Sequence, residues 1–141
     1  MSLRELYQEI VMDHYSDPRN FGKLEDADYH VHVNNPSCGD AIDLEVIVNS
    51  GKIEQVKFDG HGCVLSQASA SMMTEIIQGK DLAEVQEIAD SFRSFITGKG
   101  EVKIDLEDLE IFEGVKQFPL RVKCACLSWS ALREILKKMQ E

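Results

Sequence analysis

Between Tyr29 and Phe58 the chain reads as three short strands in succession, and this run constrains the fold more than any other feature. Tyr29, Val31 and Val33 alternate with His30, His32 and Asn34, while Ile42, Leu44, Val46 and Val48 repeat the same spacing from about Ala41 to Val48. A period of two is that of a strand with one buried face. Ile53 to Phe58 supplies a third strand, reached through the short turn Asn49-Ser50-Gly51-Lys52, so the expected arrangement is an antiparallel meander. One apolar face must then be covered.

The cover is expected from helices. Ser2 and Glu5 make a capping-box pattern, followed by Leu3, Leu6, Tyr7, Ile10, Val11 and His14 at helical spacing until Asp17-Pro18. Ser66 to Gln78 carries the small residues Ala68, Ser69, Ala70 and Ser71 before Met72, Met73, Ile76 and Ile77, with Gly79 as a natural end. Asp81 and Glu84 open another helix, with Leu82, Val85, Ile88, Ala89 and Phe92 on one side and an end near Gly98. Asp105 is placed to cap a short acidic helix with Leu106, Leu109 and Phe112. Leu127, Trp129, Leu132, Ile135, Leu136 and Met139 form a last stripe ending at Lys137 and Lys138. The expectation is an α+β fold, a small three-stranded antiparallel sheet with helices packed on it. With 141 residues, 43% of them hydrophobic, the chain suits a single domain over 1–141.

Charge narrows the partners. A formal net charge of −10 opposes phosphate backbones and anionic membrane surfaces, so neither nucleic acid nor a membrane is an expected partner. No apolar run approaches the roughly 18 residues of a membrane span, and the N-terminus lacks signal or transit composition. The expected compartment is the cytoplasm, where four cysteines read better as metal ligands or reactive thiols than as disulfides.

One pair of side chains stands out against that background. Asn34-Asn35-Pro36-Ser37-Cys38-Gly39-Asp40 places a thiol and a carboxylate two residues apart across a glycine, directly before a strand. Cys63, in Gly60-His61-Gly62-Cys63, and Cys124, in Arg121-Val122-Lys123-Cys124, each stand ahead of an expected helix, where exposed N–H groups lower a thiol's pKa. Three thiolates and one carboxylate make a tetrahedral shell for zinc or iron, with the Asp40 oxygen the more replaceable ligand. The residues alone leave a second reading open, since free cysteine often packs as a small buried group.

The chain also resembles the IscU/SufU family of iron–sulfur cluster assembly proteins over nearly its whole length. The matching stretches are Tyr7 through His14-Tyr15, Pro18-Arg19-Asn20, the Asn34 to Asp40 segment, Gly60 to Cys63, Ala68 to Met73, and Arg121 to Ala125 with Leu127 and Trp129. The resemblance implies that Cys38, Asp40, Cys63 and Cys124 share one metal site. Lys123 stands where the IscU branch has a histidine, the Leu-Pro-Pro-Val-Lys chaperone motif is missing, and Asp90 to Gly114 resembles the SufU insertion. The SufU branch implies zinc, a SufS-type cysteine desulfurase as partner, and downstream iron–sulfur assembly machinery. It also implies a cycle in which a desulfurase side chain displaces Cys38 from zinc and the freed thiolate takes the persulfide sulfur.

Three functions stand as expectations: a zinc-dependent sulfur acceptor in which Cys38 carries the sulfur, a scaffold building a [2Fe-2S] cluster on Cys38, Cys63 and Cys124, or a binding module stapled by zinc. Whether it counts as an enzyme is left open. Arg121 is by resemblance a supporting residue at the site and by its own chemistry a surface ion-pair partner. Cys126, two residues past Cys124, is turned about 200° away if both are helical and reads as a buried thiol. His61 reads as a surface or hydrogen-bonded histidine, His14 as a satisfied structural group, and His30 and His32 as solvated. The acidic residues Glu107, Asp108, Glu110 and Glu113 read as a solvated face, with steering of a basic partner as the alternative.

Overall fold

A computed structural model describes residues 2–140, except for the side chain of Leu3. The elements run α1 (Leu3–Ser16), β1 (Tyr29–Asn35), β2 (Asp40–Asn49), β3 (Lys52–His61), α2 (Val64–Ile77), α3 (Leu82–Thr97), a 3-10 helix (Glu107–Val115) and α4 (Pro119–Met139). The strands form one antiparallel sheet in the order β1-β2-β3, the meander their spacing requires. Along β2 burial alternates strictly, with Asp40, Ile42, Leu44 and Val46 all on the covered face. The period that buries the aliphatic side chains therefore carries a carboxylate inward with them. Asp40 is 1% exposed at the end of that row.

The capping signals hold at three helix starts. Ser2 accepts the Glu5 N–H, Asp81 accepts that of Glu84, and Cys63 caps α2 with its sulfur 3.4 Å from the Ser66 nitrogen. Gly98 closes α3 in the left-handed region. Other expectations are corrected. Leu6 lies outside the covered stripe at 42% exposure, because α1 rests on the domain along the side of Tyr7, Ile10, Val11 and His14. Asp105 takes the Glu107 N–H at 2.9 Å in a local turn, and the element beyond it is a 3-10 helix without a side-chain cap. The last helix begins at Pro119, well before Leu127, with proline in its first turn where a missing N–H costs nothing.

Small residues let α2 approach α4 closely. Ala68, Ser69, Ala70 and Ser71 are all fully buried. The Ser69 hydroxyl donates to the Ala125 carbonyl at 2.6 Å and accepts from Trp129 Nε1 at 3.1 Å, joining α2 to α4 beside Cys124. Trp129 in turn stacks on Phe92 with centroids 4.4 Å apart, a contact worth about 1 kcal/mol beyond its area.

His14 is 4% exposed, and its Nδ1 lies 2.8 Å from Ser71 Oγ, which also accepts the Arg19 N–H. Burial first, and the Arg19 charge second, hold its pKa below the usual value, with Glu75 offsetting only part. The unfolded chain therefore binds this proton more readily than the folded one. The stabilisation is complete above pH 6.5 and shrinks as pH falls below it, at most about 1.4 kcal/mol per pH unit. Urea midpoints from pH 7.5 to 5 should show the wild-type advantage over His14→Gln narrowing on acidification. A constant gap would refute this account.

Candidate metal centre

The two-strand connection before β2 makes the first half of the site. Asn35 pairs with Asp40 across the hairpin, its carbonyl accepts from the N–H groups of Cys38 and Gly39, and its side chain accepts from Ser37 N–H. Gly39 adopts φ +75, which lets the turn close within four residues. Cys38 thus stands exposed on a hydrogen-bonded turn directly above the buried carboxylate. Its Sγ is 3.0 Å from Asp40 Oδ2.

The second half comes from two helices. Cys63 is the N-cap of α2, and its backbone N–H donates to Asp40 Oδ1 at 2.8 Å while its Sγ lies 3.5 Å from Oδ2. Cys124 projects from the second turn of α4 with its Sγ 3.6 Å from that of Cys38. Cys38, Asp40 and Cys124 each offer an atom within 4.8 Å of the other two. Cys63 joins this tight triple through Asp40 and stands slightly outside it.

Electrostatics separates the two helix thiols. The expectation that Cys124 occupies a helix N-terminus is corrected: it follows Pro119 by five residues and lies in the second turn, past the four positions whose N–H groups lack intrahelical partners. Burial first, then the neighbouring Cys38, Asp40 and Cys63, push the Cys124 thiol far up. Only Cys63 has the expected N–H contact. At Asp40, burial raises the carboxyl's pKa, but hydrogen bonds from Cys38, the Cys63 N–H, Cys124 and the Cys63 thiol outweigh it and hold the pKa below the usual value. The Asp40 carboxylate is thus held in its charged form at the centre of the cluster.

That donor set suits a soft divalent cation. Sulfurs about 2.3 Å from a zinc stand about 3.8 Å apart in a tetrahedral shell, close to the 3.6 Å between Cys38 and Cys124. Oδ1 of Asp40 is engaged by the Cys63 N–H, which leaves Oδ2 facing the thiols. Thiolates also hold iron.

The remaining candidates lie elsewhere. Cys126 is half-buried, and burial pushes its thiol up to about 11 against the opposing pull of Arg133 and Arg93. His61 is exposed at the end of β3, outside the cluster. His30 and His32 are exposed and share Asp43 Oδ1 at 2.8 and 3.2 Å. Arg121 forms no ion pair among the described residues and lies over the Phe118 ring at 5.2 Å. One residue that positions the site went unread in the sequence. Gly62, at φ +149, leaves the space the Asp40 carboxylate occupies, and a Cβ there would stand 2.7 Å from Asp40 Cγ. The Gly60-His61-Gly62 spacing ahead of a candidate ligand was the available signal of close backbone approach.

A three-stranded meander with helices packed on it, bringing three thiols and a carboxylate together at one end, defines a small α+β protein with a candidate metal centre. The chain belongs to the NifU-like N-terminal domain family, whose model matches residues 6–125. It is 45% identical over 138 residues to the zinc-dependent sulfurtransferase SufU of Bacillus subtilis, covering 97% of this chain and 93% of that one. It is 40% identical over 137 residues to the iron–sulfur cluster assembly scaffold protein IscU of Streptococcus pyogenes, covering 96% and 86%. Among solved structures, a putative iron–sulfur cluster assembly scaffold protein for the SUF system from Fervidobacterium islandicum superposes with a TM-score of 0.85. It is 36% identical, with 96% of this chain and 99% of that one covered. These relatives agree with the IscU/SufU resemblance and with the expected fold.

Proposed function

We propose that this protein serves iron–sulfur cluster assembly as a zinc-dependent sulfur acceptor, taking sulfur on Cys38 from a cysteine desulfurase in the cytoplasm. Cys38, Asp40, Cys63 and Cys124 would hold the zinc. The observation that carries the reading is the setting of Cys38. Cys38 and Cys63 are both exposed and Cys124 is buried, but Cys38 stands on a turn with its sulfur free of backbone N–H contacts among the described residues, whereas the Cys63 sulfur caps the start of α2. Zinc, when bound, supplies positive charge that keeps the sulfurs deprotonated near neutral pH. The Cys38 thiolate attacks the outer sulfur of the donor's persulfide; a Cys38–sulfur bond forms as the donor's sulfur–sulfur bond breaks. The donor cysteine leaves as a thiolate, the persulfide proton stays with the transferred sulfur, and no electrons are gained or lost overall. The 45% identity to a zinc-dependent sulfurtransferase supports this reading.

A second reading is favoured by the 40% identity to an assembly scaffold, namely that Cys38, Cys63 and Cys124 carry a transient [2Fe-2S] cluster as cargo. Sulfide release by the cognate desulfurase, measured with and without the zinc-loaded protein, separates the two. The expected result is a clear, saturable stimulation by the zinc-loaded protein. No stimulation, together with a cluster that forms anaerobically and passes intact to an acceptor, would move the assignment to the scaffold.

A further inference from the structure

The face of the sheet turned away from the helices carries a second set of ligand-type side chains. His30 and His32 flank the buried Val31 along β1, so both project to this open face, as Asp43 does from β2. The ladder sets Asp43 directly opposite His32 and Glu45 directly opposite His30, so each histidine has a carboxylate across from it. The bonds do not follow that pairing. Glu45 accepts the Leu24 N–H at 2.8 Å, and His30 reaches along the diagonal to Asp43 instead. His30 Nε2 and His32 Nδ1 both end on one atom, Asp43 Oδ1, at 2.8 and 3.2 Å.

Two imidazoles directed at one carboxylate oxygen make a donor set for a borderline divalent ion. A neutral imidazole offers a lone pair from one ring nitrogen, and beside a carboxylate it suits zinc, nickel or copper, whereas calcium and magnesium take oxygen. Asp59 adds negative charge. It stands directly opposite Asp43 on β3, where like charges repel unless a cation comes between them. The side chains of His30, His32 and Asp43 are 52%, 51% and 33% exposed, so the rings have room to turn and bring their nitrogens to about 2.0 Å from an ion. The thiol centre is separate, because Asp40 lies on the covered face of β2 and Asp43, three residues on, faces the other way.

We propose that His30, His32 and Asp43 hold a divalent transition-metal ion of the zinc type on the open face of the sheet, with water completing its shell. The bonds to Asp43 hold both rings near one point, and the ion takes their place. Binding moves the proton on each coordinating nitrogen to the other nitrogen of its ring or to water.

Zinc titrated into the full chain, with the ring signals of His30 and His32 followed by NMR, tests the site in wild type, His32→Gln, Asp43→Asn and His61→Gln. All three positions lie on the open face of the sheet, so circular dichroism should match wild type. The expected result is that the two rings shift together and saturate with one ion. Loss of an outer-shell partner already costs about tenfold or more in metal affinity, so His32→Gln and Asp43→Asn should each raise the half-saturating zinc for His30 by at least that factor. His61→Gln, at the exposed end of β3, should leave it unchanged. His30 keeping its affinity in His32→Gln would mean two isolated surface histidines and would overturn the site. No shift of either ring in excess zinc would overturn it too, and a loss in His61→Gln would place the ion at the end of β3 instead. Saturation at half an equivalent with dimer formation would make the ion a bridge between two copies and overturn a site built by one chain. The ring signals report this face alone, so none of these outcomes bears on the thiol centre.

Discussion

Cys38→Ala is expected to abolish the stimulation of the desulfurase, returning sulfide release to the rate of the desulfurase alone, while the protein stays folded. The cysteine is exposed on a turn held by the Asn35 carbonyl and side chain, so losing its sulfur removes no core contact. Away from the metal, such a change should alter stability by no more than about 0.5 kcal/mol. Asp40, Cys63 and Cys124 remain as donors, and zinc is expected to bind more weakly without leaving altogether. The companion variant Cys126→Ala should keep full stimulation, because that thiol is half-buried on the other side of α4 and its pKa is pushed up to about 11. Circular dichroism and zinc content would establish that both variants are folded and loaded. Stimulation surviving in Cys38→Ala would remove Cys38 as the acceptor.

The second large effect is expected at Gly62. Its φ of +149 is closed to most side chains, and an added Cβ would stand 2.7 Å from Asp40 Cγ and 2.9 Å from its Cβ. The Asp40 Cβ belongs to the strand and cannot swing away like the tip of a long side chain. Gly62→Ala must therefore displace the carboxylate and break its bond from the Cys63 N–H. Backbone strain and a lost charged hydrogen bond together should cost about 3 kcal/mol or more. Gly114→Ala is the control, since nothing lies within 4 Å of a Cβ there and its φ is ordinary. Urea denaturation and competition against a zinc chelator should show Gly62→Ala less stable and more weakly bound to zinc. Matching behaviour of the two variants would mean that the site adapts and that Gly62 does not set Asp40.

The strand spacing bears on more than the fold. Ile42, Leu44 and Val46 point inward because the alternation of β2 demands it, and the same period buries Asp40 two residues earlier. The meander, the capped starts of α1 and α3 and the placement of Cys63 at the head of α2 were all legible from local patterns. Local chemistry decides such features, and neighbours in sequence are neighbours in the structure. The four ligand candidates could be named for the same reason, each by its own motif and by the family resemblance.

What sequence could not decide was how separate elements meet. Pro119 marked a possible helix start, but only packing shows α4 beginning there and carrying Cys124 in its second turn, where burial raises the thiol's pKa instead of lowering it. The Ser69 bonds that lock α2 to α4, the clearance that Gly62 leaves for Asp40, and the exposed Leu120 beside an assembled thiol cluster all depend on contacts across long stretches of chain. Side-chain period is a local property written in the order of residues. Distances between elements arise only when the core closes, so the order of residues named the candidate donors and tertiary packing decided their spacing, their burial and the surface that surrounds them.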